Sequence, residues 1–257
     1  MILNYTQSGT GSHVVLLHGL FGSADNLSQL AKYLSEFFLV TNIDLRNHGA
    51  SQHADSHTYY DMATDLLATL KHLNIERCHL FGHSMGGKTA MTFAMLHPEK
   101  VASLVVEDIA PVRYANRHQD VFTALNQLDL SQVENRKQVV NQLNEQINSL
   151  GISQFLAKNL QKDDGNWRWK MNLAVLQLAY PEIAAFPDDL AKAYEGATLF
   201  IKGMNSDYLM PQHQNDILQR FPKAQVKVIQ GTGHWVHAEK PNIFNKIVAD
   251  FLQKQEC

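Results

Sequence analysis

A serine between glycines constrains the fold of this chain more than any other feature. The segment Gly82–Gly87, Gly-His-Ser-Met-Gly-Gly, follows an apolar run, Arg77–Phe81, and precedes a helix-forming run, Lys88–Leu96. Strand, sharp turn and helix with Gly-x-Ser-x-Gly spacing are typical of a nucleophile elbow, which exposes a serine hydroxyl at the carboxyl end of a strand. Glycine is expected on both sides because a Cβ there would strike the turn or the neighbouring strand. Ser84 is therefore the predicted nucleophile.

Apolar runs alternate with helical periodicity along most of the chain. These runs are nearly continuous in Val, Ile, Leu and Phe, which favours a parallel sheet covered on both faces. Stretches such as Tyr59–Leu73 carry one apolar stripe and fit right-handed helical crossovers between parallel strands. The fold class is therefore α/β, with a doubly wound and mostly parallel sheet. The predicted strands are Val14–Leu17, Phe38–Ile43, Cys78–Phe81, Leu104–Val106, Thr198–Ile201 and Val226–Ile229.

The alternation stops between Pro111 and Tyr194, where the chain has helical spacing, many Gln and Asn residues, and no predicted strand. This stretch is too long for an ordinary connection between two strands. We predict a helical cap at 111–194, inserted into a core formed by 1–110 and 195–257. Trp167 and Trp169 lie inside the stretch, and we interpret them as packing residues rather than substrate contacts.

Composition limits the partners of this protein. A chain of 257 residues with 45% hydrophobic content can bury a sizeable core as one domain with an insertion. A net charge of −3 gives no basic footprint for nucleic acid or for a membrane surface. The two cysteines, Cys78 and Cys257, suggest a reducing compartment and no disulfide framework. Neither a basic-apolar leader nor a membrane-spanning run is present, so we expect a soluble, cytoplasmic protein acting on a small molecule. Its oligomeric state stays open.

A serine nucleophile needs a base, and histidine is the expected one. Among 13 histidines, His234 is best placed, since it follows a predicted strand in a flexible loop, Gly-Thr-Gly-His-Trp-Val-His. His18 and His83 also lie at predicted strand ends, but each belongs to a backbone motif that favours a structural hydrogen bond. His53 and His57 have helical spacing without a matching third ligand, so no metal site is predicted there.

Two carboxylates compete for the third position of a Ser-His-acid triad. Asp108 ends the predicted strand around Leu104–Val106, and Asp207 follows the predicted strand Thr198–Ile201 by a short loop. Either loop can reach the histidine, because the carboxyl ends of parallel strands gather along one edge of the sheet. Spacing alone does not choose between the two acids.

An oxyanion hole needs two backbone donors aimed at the developing negative charge. The residue after the nucleophile, Met85, supplies one N–H group, and the first strand-to-helix loop, His18–Ser23, supplies the other. Leu20 is the predicted second donor, with Phe21 as the near alternative. The same loop also fits an ordinary strand-to-helix turn with Ser23 or Asp25 as the helix cap, and both interpretations are compatible.

Four short motifs resemble the α/β-hydrolase superfamily in identity and order: His18-Gly19, Asp44–Ser51 (Asp-Leu-Arg-Asn-His-Gly-Ala-Ser), Gly82–Gly87 and Gly233-His234. More narrowly, the chain is similar to YbfF-type bacterial esterases, relatives of the abhydrolase-domain 11 proteins. That resemblance implies hydrolysis of acyl esters or acyl thioesters, such as acyl-CoA. It also favours Asp108 over Asp207, because this branch is expected to carry its acid in an Asp-x-x-Pro motif. The 44–51 segment is expected to shape a loop beneath the active site.

We therefore predict two-step acyl transfer, in which Ser84 is the nucleophile, His234 the base and Asp108 the acid that orients it. No metal or organic cofactor is implied. A carbon–carbon bond hydrolase, a cofactor-free haloperoxidase and a non-catalytic ligand receptor stay open as alternatives, because the same residues occur on the same scaffold.

Three residues near the predicted site are candidate substrate contacts. Trp235 directly follows the predicted base, and a large flat side chain there can cover an apolar acyl chain. Phe21 and His83 flank the predicted oxyanion donor and nucleophile.

Overall fold

The computed structural model describes residues 1–256; Cys257 lies outside the described part of the chain. The strands are β1 (Tyr5–Ser8), β2 (His13–Leu17), β3 (Leu39–Ile43), β4 (Cys78–His83), β5 (Val101–Glu107), β6 (Leu160–Asp163), β7 (Asn166–Trp169), β8 (Ala197–Gly203) and β9 (Ala224–Ile229). The helices are α1 (Ser28–Leu34), α2 (Tyr59–His72), α3 (Met85–Leu96), α4 (Gln119–Gln127), α5 (Arg136–Ile147), α6 (Leu150–Ala157), α7 (Leu173–Leu178), α8 (Tyr180–Ala184), α9 (Gln214–Arg220), α10 (Val236–Glu239) and α11 (Pro241–Gln253).

The main sheet runs in the order β1-β3-β2-β4-β5-β8-β9. Its neighbours pair in parallel except at one edge, where β1 is antiparallel to β3. The six predicted strands are all present, each differing from its predicted range only at the ends. The sequence analysis missed β1, because its polar sequence Tyr-Thr-Gln-Ser carries no apolar run and the strand is largely exposed.

Both faces of this sheet are buried. In β2, Val14 and Leu16 belong to one apolar cluster, whereas Val15 and Leu17 belong to the other. Side chains of a strand alternate between faces, so this division shows one cluster on each side of the sheet. Helices α1 and α11 contribute to the first cluster, and α2 and α3 to the second. The predicted fold class, a doubly wound and mostly parallel α/β sheet, is confirmed.

The 111–194 segment contains helices α4 to α8, but the prediction that it holds no strand was wrong. Strands β6 and β7 form an antiparallel pair in which Leu160 lies opposite Trp169. Asp164 and Gly165 connect them with φ angles of 47° and 84°. Positive φ at both central residues is typical of a type I′ turn, for which Asp-Gly is a preferred sequence. The hairpin signal was present in the sequence, but the surrounding helical spacing concealed it.

Two further sequence-based expectations concern single residues and long helices. Cys78 is a buried free thiol in β4, and burial raises its pKa to about 12; the expectation for Cys257 falls outside the described residues. Among residues 1–256, no helix combines the length and apolar character that crossing a membrane requires.

Candidate active site

Ser84 occupies the sharp turn between β4 and α3. Its backbone has φ 53° and ψ −116°, a conformation that L-residues rarely adopt and that marks local strain. A Cβ on Gly82 would lie 2.2 Å from the Gly86 carbonyl oxygen, and one on Gly86 would lie 2.3 Å from the Leu17 carbonyl oxygen. Both glycines are therefore required by close backbone approach, as the elbow pattern predicts.

The structure brings Ser84, His234 and Asp108 together at the carboxyl edge of the sheet. His234 Nε2 lies 3.0 Å from Ser84 Oγ, and His234 Nδ1 lies 2.8 Å from Asp108 Oδ2. His234 is carried by the loop between β9 and α10, and its ring stacks on Tyr208 with centroids 4.1 Å apart and planes 27° apart. One imidazole thus contacts a hydroxyl through one nitrogen and a carboxylate through the other.

Asp108 is held rigidly at the end of β5. Its side chain is fully buried, and its N–H group donates to the Ile201 carbonyl oxygen at 2.8 Å. The carboxylate also accepts hydrogen bonds from the Gly203 N–H at 3.0 Å and from the Ser206 hydroxyl. The sequence analysis did not single out Ser206. The available signal was its position, directly before Asp207 in the loop after β8.

Asp207, the alternative acid, lies elsewhere. Its carboxylate accepts a hydrogen bond from Arg117 Nη1 at 2.6 Å, and its side chain is 68% exposed. The Arg117 guanidinium in turn lies 4.8 Å from the centre of the Tyr208 ring. The structure therefore places Asp108, and not Asp207, against the imidazole.

Leu20 and Met85, the residues that carry the predicted oxyanion donors, line the same cavity as Ser84 and His234. Among residues 1–256, neither the Leu20 N–H nor the Met85 N–H has a protein acceptor. The Phe21 N–H, the alternative donor, is engaged because it donates to His48 Nε2 at 3.2 Å. Leu20 and Met85 therefore retain amide groups that a ligand oxygen can accept from.

A cavity of about 310 Å³ opens onto Ser84 and His234. The candidate substrate contacts Trp235, Phe21 and His83 all line it, whereas Trp167 and Trp169 do not. Its wall is mainly apolar, and much of that wall comes from the 111–194 segment through Val121, Ile152, Phe155, Leu156, Tyr180 and Ile183. An apolar enclosure with a few polar groups converging at one end is typical of a small-molecule site.

Lys88 was not predicted as part of the site, although it lines the same cavity. It is buried in α3, and its ammonium donates to the carbonyl oxygens of Val112, Ala184 and Ala185 at 2.7–2.9 Å. Burial, together with the nearby Arg113 charge, lowers the pKa of Lys88 to about 7. One side chain of the elbow helix thus joins both ends of the 111–194 segment.

A second histidine–carboxylate pair lies beneath the His234 loop. The backbone N–H of His237 donates to Glu107 Oε1 at 2.9 Å, and His237 Nδ1 lies 2.8 Å from the same oxygen. His83 completes the cluster, with its ring 4.9 Å from that of His237 and its Nε2 3.1 Å from the His234 carbonyl oxygen. The three side chains offer potential ligand atoms within 4.8 Å of one another. Their hydrogen bonds to protein give the cluster a structural use, because they tie the His234 loop to β5.

The remaining candidate histidines have separate structural partners. His18 Nδ1 lies 2.8 Å from the Gly19 carbonyl oxygen, and His18 Nε2 accepts from the Leu45 N–H at 3.0 Å. Since Nε2 accepts, Nδ1 must carry the proton, and burial lowers the pKa of His18 in agreement with a neutral ring. His57 Nε2 contacts Met85 Sδ at 3.4 Å, whereas His53 Nε2 contacts the Lys170 carbonyl oxygen.

The 44–51 segment lies under the oxyanion loop. Asp44 accepts hydrogen bonds from the N–H groups of Ala24 at 2.7 Å and Ala50 at 2.9 Å. A Cβ on Gly49 would lie 2.2 Å from the Asp44 carboxyl carbon, so only glycine fits there. The segment therefore shapes backbone near the site and supplies no side chain to Ser84 Oγ.

Comparison with known proteins extends over nearly the whole chain. A profile of the family described as alpha/beta hydrolase fold matches residues 12–241. The chain is 40% identical over 242 residues to Esterase YbfF of Escherichia coli (strain K12), covering 94% of this chain and 93% of that protein. It is 39% identical over 247 residues to the sn-1-specific diacylglycerol lipase ABHD11 of Mus musculus, covering 93% of this chain and 80% of that protein.

A solved structure described as a marine microorganism esterase has a similar backbone fold. It is 38% identical to this chain, has a TM-score of 0.95, and the match covers 97% of this chain and 99% of that one. The sequence similarity and the structural similarity to esterases thus both extend over more than nine-tenths of this chain.

Proposed function

This chain belongs to the α/β-hydrolase family, in its YbfF-like branch, and on that premise we propose that it cleaves acyl esters through an acyl-enzyme on Ser84. The resemblance predicted from the sequence is confirmed. The chain is a carboxylic ester hydrolase, in keeping with relatives that are named esterase and diacylglycerol lipase.

The observation that carries the mechanism is the chain of contacts from Ser84 through His234 to Asp108, at 3.0 Å and 2.8 Å. In the first step, His234 Nε2 takes the proton of the Ser84 hydroxyl as its oxygen attacks the acyl carbonyl carbon. The same nitrogen then gives that proton to the leaving group. A water molecule, deprotonated in the same way, releases the acid and restores Ser84.

We propose that Asp108 orients the His234 imidazole and selects its tautomer. Its Oδ2 accepts from the Nδ1–H of His234, which leaves Nε2 unprotonated and facing the serine. When His234 becomes an imidazolium, the buried carboxylate stabilises it electrostatically and does not itself take the proton. The hydrogen bonds from Gly203 and Ser206 keep the carboxylate in place.

The tetrahedral intermediate places a negative charge on the former carbonyl oxygen. We assign the N–H groups of Leu20 and Met85 as its donors, since both residues line the cavity and neither N–H group has a protein acceptor among residues 1–256. Loss of one such donor in another serine hydrolase costs about 10²–10³-fold in kcat. Met85 opens helix α3, so the helix dipole also favours negative charge at that position.

The cavity indicates an apolar acyl group. Trp235, Phe21 and His83 are the proposed substrate contacts, and we propose that the 111–194 segment acts as a cap over a core of 1–110 and 195–257. The leaving group is an alcohol or a thiol such as that of coenzyme A, because either departs from the same intermediate. We propose a cytoplasmic enzyme that needs no cofactor for this chemistry.

Ser84→Ala tests the proposal directly. The variant should fold normally and lose p-nitrophenyl ester hydrolysis by about 10³-fold or more, because the covalent step is removed. The wild-type protein should also be labelled by a serine-directed fluorophosphonate, and the variant should not. Parallel assays with acyl-CoA thioesters of the same chain lengths then assign the leaving group. Near-normal turnover by a folded Ser84→Ala variant, or absence of both labelling and turnover in the wild type, contradicts the mechanism.

A further inference from the structure

The oxyanion loop holds one strained residue next to its proposed donor. Phe21, which follows Leu20, has φ 59°, in the left-handed region that aromatic residues rarely adopt. Such a conformation persists only when surrounding contacts hold it. The contacts of residues 19–22 therefore decide where the Leu20 N–H points.

The peptide unit between Gly19 and Leu20 is fixed through its carbonyl. The Gly19 oxygen accepts from the Gly22 N–H at 3.0 Å and lies 2.8 Å from His18 Nδ1. A trans peptide is planar, with its C=O and N–H pointing in opposite directions. Holding the Gly19 carbonyl on one side therefore sets the direction of the Leu20 N–H on the other.

The next two peptide units are fixed from opposite sides of the molecule. The Phe21 N–H donates to His48 Nε2, which belongs to the 44–51 segment of the core. The Phe21 carbonyl oxygen accepts from Asn159 Nδ2 at 2.6 Å, and Asn159 belongs to the 111–194 segment. One contact comes from below the loop and the other from the segment above the cavity.

Asn159 is itself well positioned for this role. It is 3% exposed and lies between α6 and β6. Its Nδ2 also donates to the Leu156 carbonyl oxygen at 3.2 Å. The backbone carbonyl oxygen of Asn159 accepts from the Lys170 N–H at 2.7 Å. The bond from Lys170 holds the backbone of Asn159, and the bond to Leu156 holds its side-chain NH₂ group, which also donates to the Phe21 carbonyl oxygen.

We propose that Asn159 is a positioning residue for the oxyanion hole: it holds the strained Phe21 peptide so that the Leu20 N–H faces the reacting carbonyl. The inference rests on the proposed function, since it assigns a role to Leu20 in that reaction. The 111–194 segment thus contributes to stabilising the transition state as well as enclosing the substrate. When this segment is displaced, the Phe21 carbonyl loses its donor and the loop can relax.

The proposal separates transition-state binding from substrate binding. Asn159→Leu keeps a similar volume but removes the donor, and it should lower kcat by about 10–100-fold with little change in KM, as a misplaced donor acts on the transition state. A trifluoromethyl ketone, which adds to the serine and places an oxyanion on the same donors, should lose affinity by the same factor as kcat/KM.

Asn172→Leu is the matched control. Asn172 is another amide of the 111–194 segment that reaches the core, but its side chain donates to Asn47 Oδ1 at 3.3 Å and has no contact with the oxyanion loop. It should keep wild-type kcat and ketone affinity. If Asn159→Leu fails to fold, Asn159→Ser, a smaller replacement with a shorter reach, carries the same expectation.

Three results would overturn the proposal: wild-type kcat in a folded Asn159 variant, a loss confined to KM, or equal losses in the Asn159 and Asn172 variants. The Ser84→Ala variant, assayed alongside, keeps these results apart from a failure of the proposed function. Near-normal turnover by Ser84→Ala contradicts serine catalysis itself, whereas wild-type kcat in the Asn159 variant leaves serine catalysis intact.

Discussion

Arg117 binds Asp207 at 2.6 Å and stacks over Tyr208, whose ring also stacks on that of His234. This arrangement uses Asp207 as the partner of a guanidinium at the rim of the cavity. It separates the carboxylate from the imidazole by a guanidinium and an aromatic ring. The buried position beside His234 Nδ1 is left to Asp108.

Asp108→Asn should reduce kcat/KM far more than Asp207→Asn. An amide beside Nδ1 favours the wrong imidazole tautomer, which costs about 10⁴-fold in a serine protease with the same triad. Asp207→Asn removes only an exposed ion pair, and such pairs contribute about 0–1 kcal/mol to stability. Steady-state kinetics of both variants on one p-nitrophenyl ester provide the comparison. A greater loss in Asp207→Asn would move the acid to the loop after β8.

Trp235→Ala should change chain-length preference. Trp235 lines the cavity and its ring lies 5.7 Å from that of Phe155, so the two form an apolar wall. Longer acyl chains bury more apolar surface against that wall, at about 25 cal/mol per Å². Catalytic efficiency for octanoyl esters should therefore fall more than for acetyl esters. Trp169→Ala, outside the cavity, is the control, and an equal loss for all chain lengths with lower thermal stability would make Trp235 structural.

Lys88 should make the stability of the protein depend on pH. Its pKa is lowered from 10.5 to about 7 on folding, so between these values the unfolded chain binds more protons than the folded one. Stability from this group therefore rises with pH, by up to about 1.4 kcal/mol per pH unit. The unfolding free energy of the wild type minus that of Lys88→Met should increase from pH 7 to pH 9.

Denaturant titrations at several pH values measure this difference. Lys246→Met is the control, because Lys246 is exposed on α11 and pairs with the exposed Asp250. The unfolding free energy of the wild type minus that of Lys246→Met should stay nearly constant from pH 7 to pH 9. A constant difference for Lys88→Met as well would mean that the three carbonyl groups keep Lys88 charged in the folded protein.

Glu107→Gln should weaken both the fold and the chemistry. The carboxylate accepts from the His237 backbone and faces His237 Nδ1 with both oxygens, whereas glutamine would turn an NH₂ group toward one of these donors. Hydrogen bonds to charged groups contribute roughly 1.5–3 kcal/mol each. The midpoint temperature of thermal unfolding and kcat should both fall, since the Glu107–His237 pair fixes the loop that carries His234. Glu239→Gln, an exposed acceptor for the Gly233 N–H, should have a smaller effect on both measurements.

Local features of the fold were predictable because neighbouring residues encode them. The glycines around Ser84 are required by close approach of backbone a few residues away or in the adjacent strand. Apolar runs in the sequence marked the buried strands. The strand β1 and the β6–β7 hairpin were missed, since one lacks an apolar pattern and the other is a short pair within helical spacing. The Asp164-Gly165 turn was the readable signal for that hairpin.

The supporting contacts of the site could not be predicted in the same way. The hydrogen bond from Ser206 to Asp108 spans 98 residues, and that from Asn159 to Phe21 spans 138. Such contacts depend on how β5 and β8 align and on how the 111–194 segment lies against the core. Spacing therefore left Asp108 and Asp207 equal, and only the family resemblance favoured Asp108.

The distances along the chain between Ser84, Asp108 and His234 also bear on synthesis. His234 lies 150 residues beyond Ser84 and 126 beyond Asp108. Proteins are made from the amino end, and their earlier parts begin folding first. A growing chain thus carries its serine long before the histidine that activates it. On the proposed mechanism, unfinished chains are chemically silent toward cellular esters until β9 has joined the sheet and delivered the base.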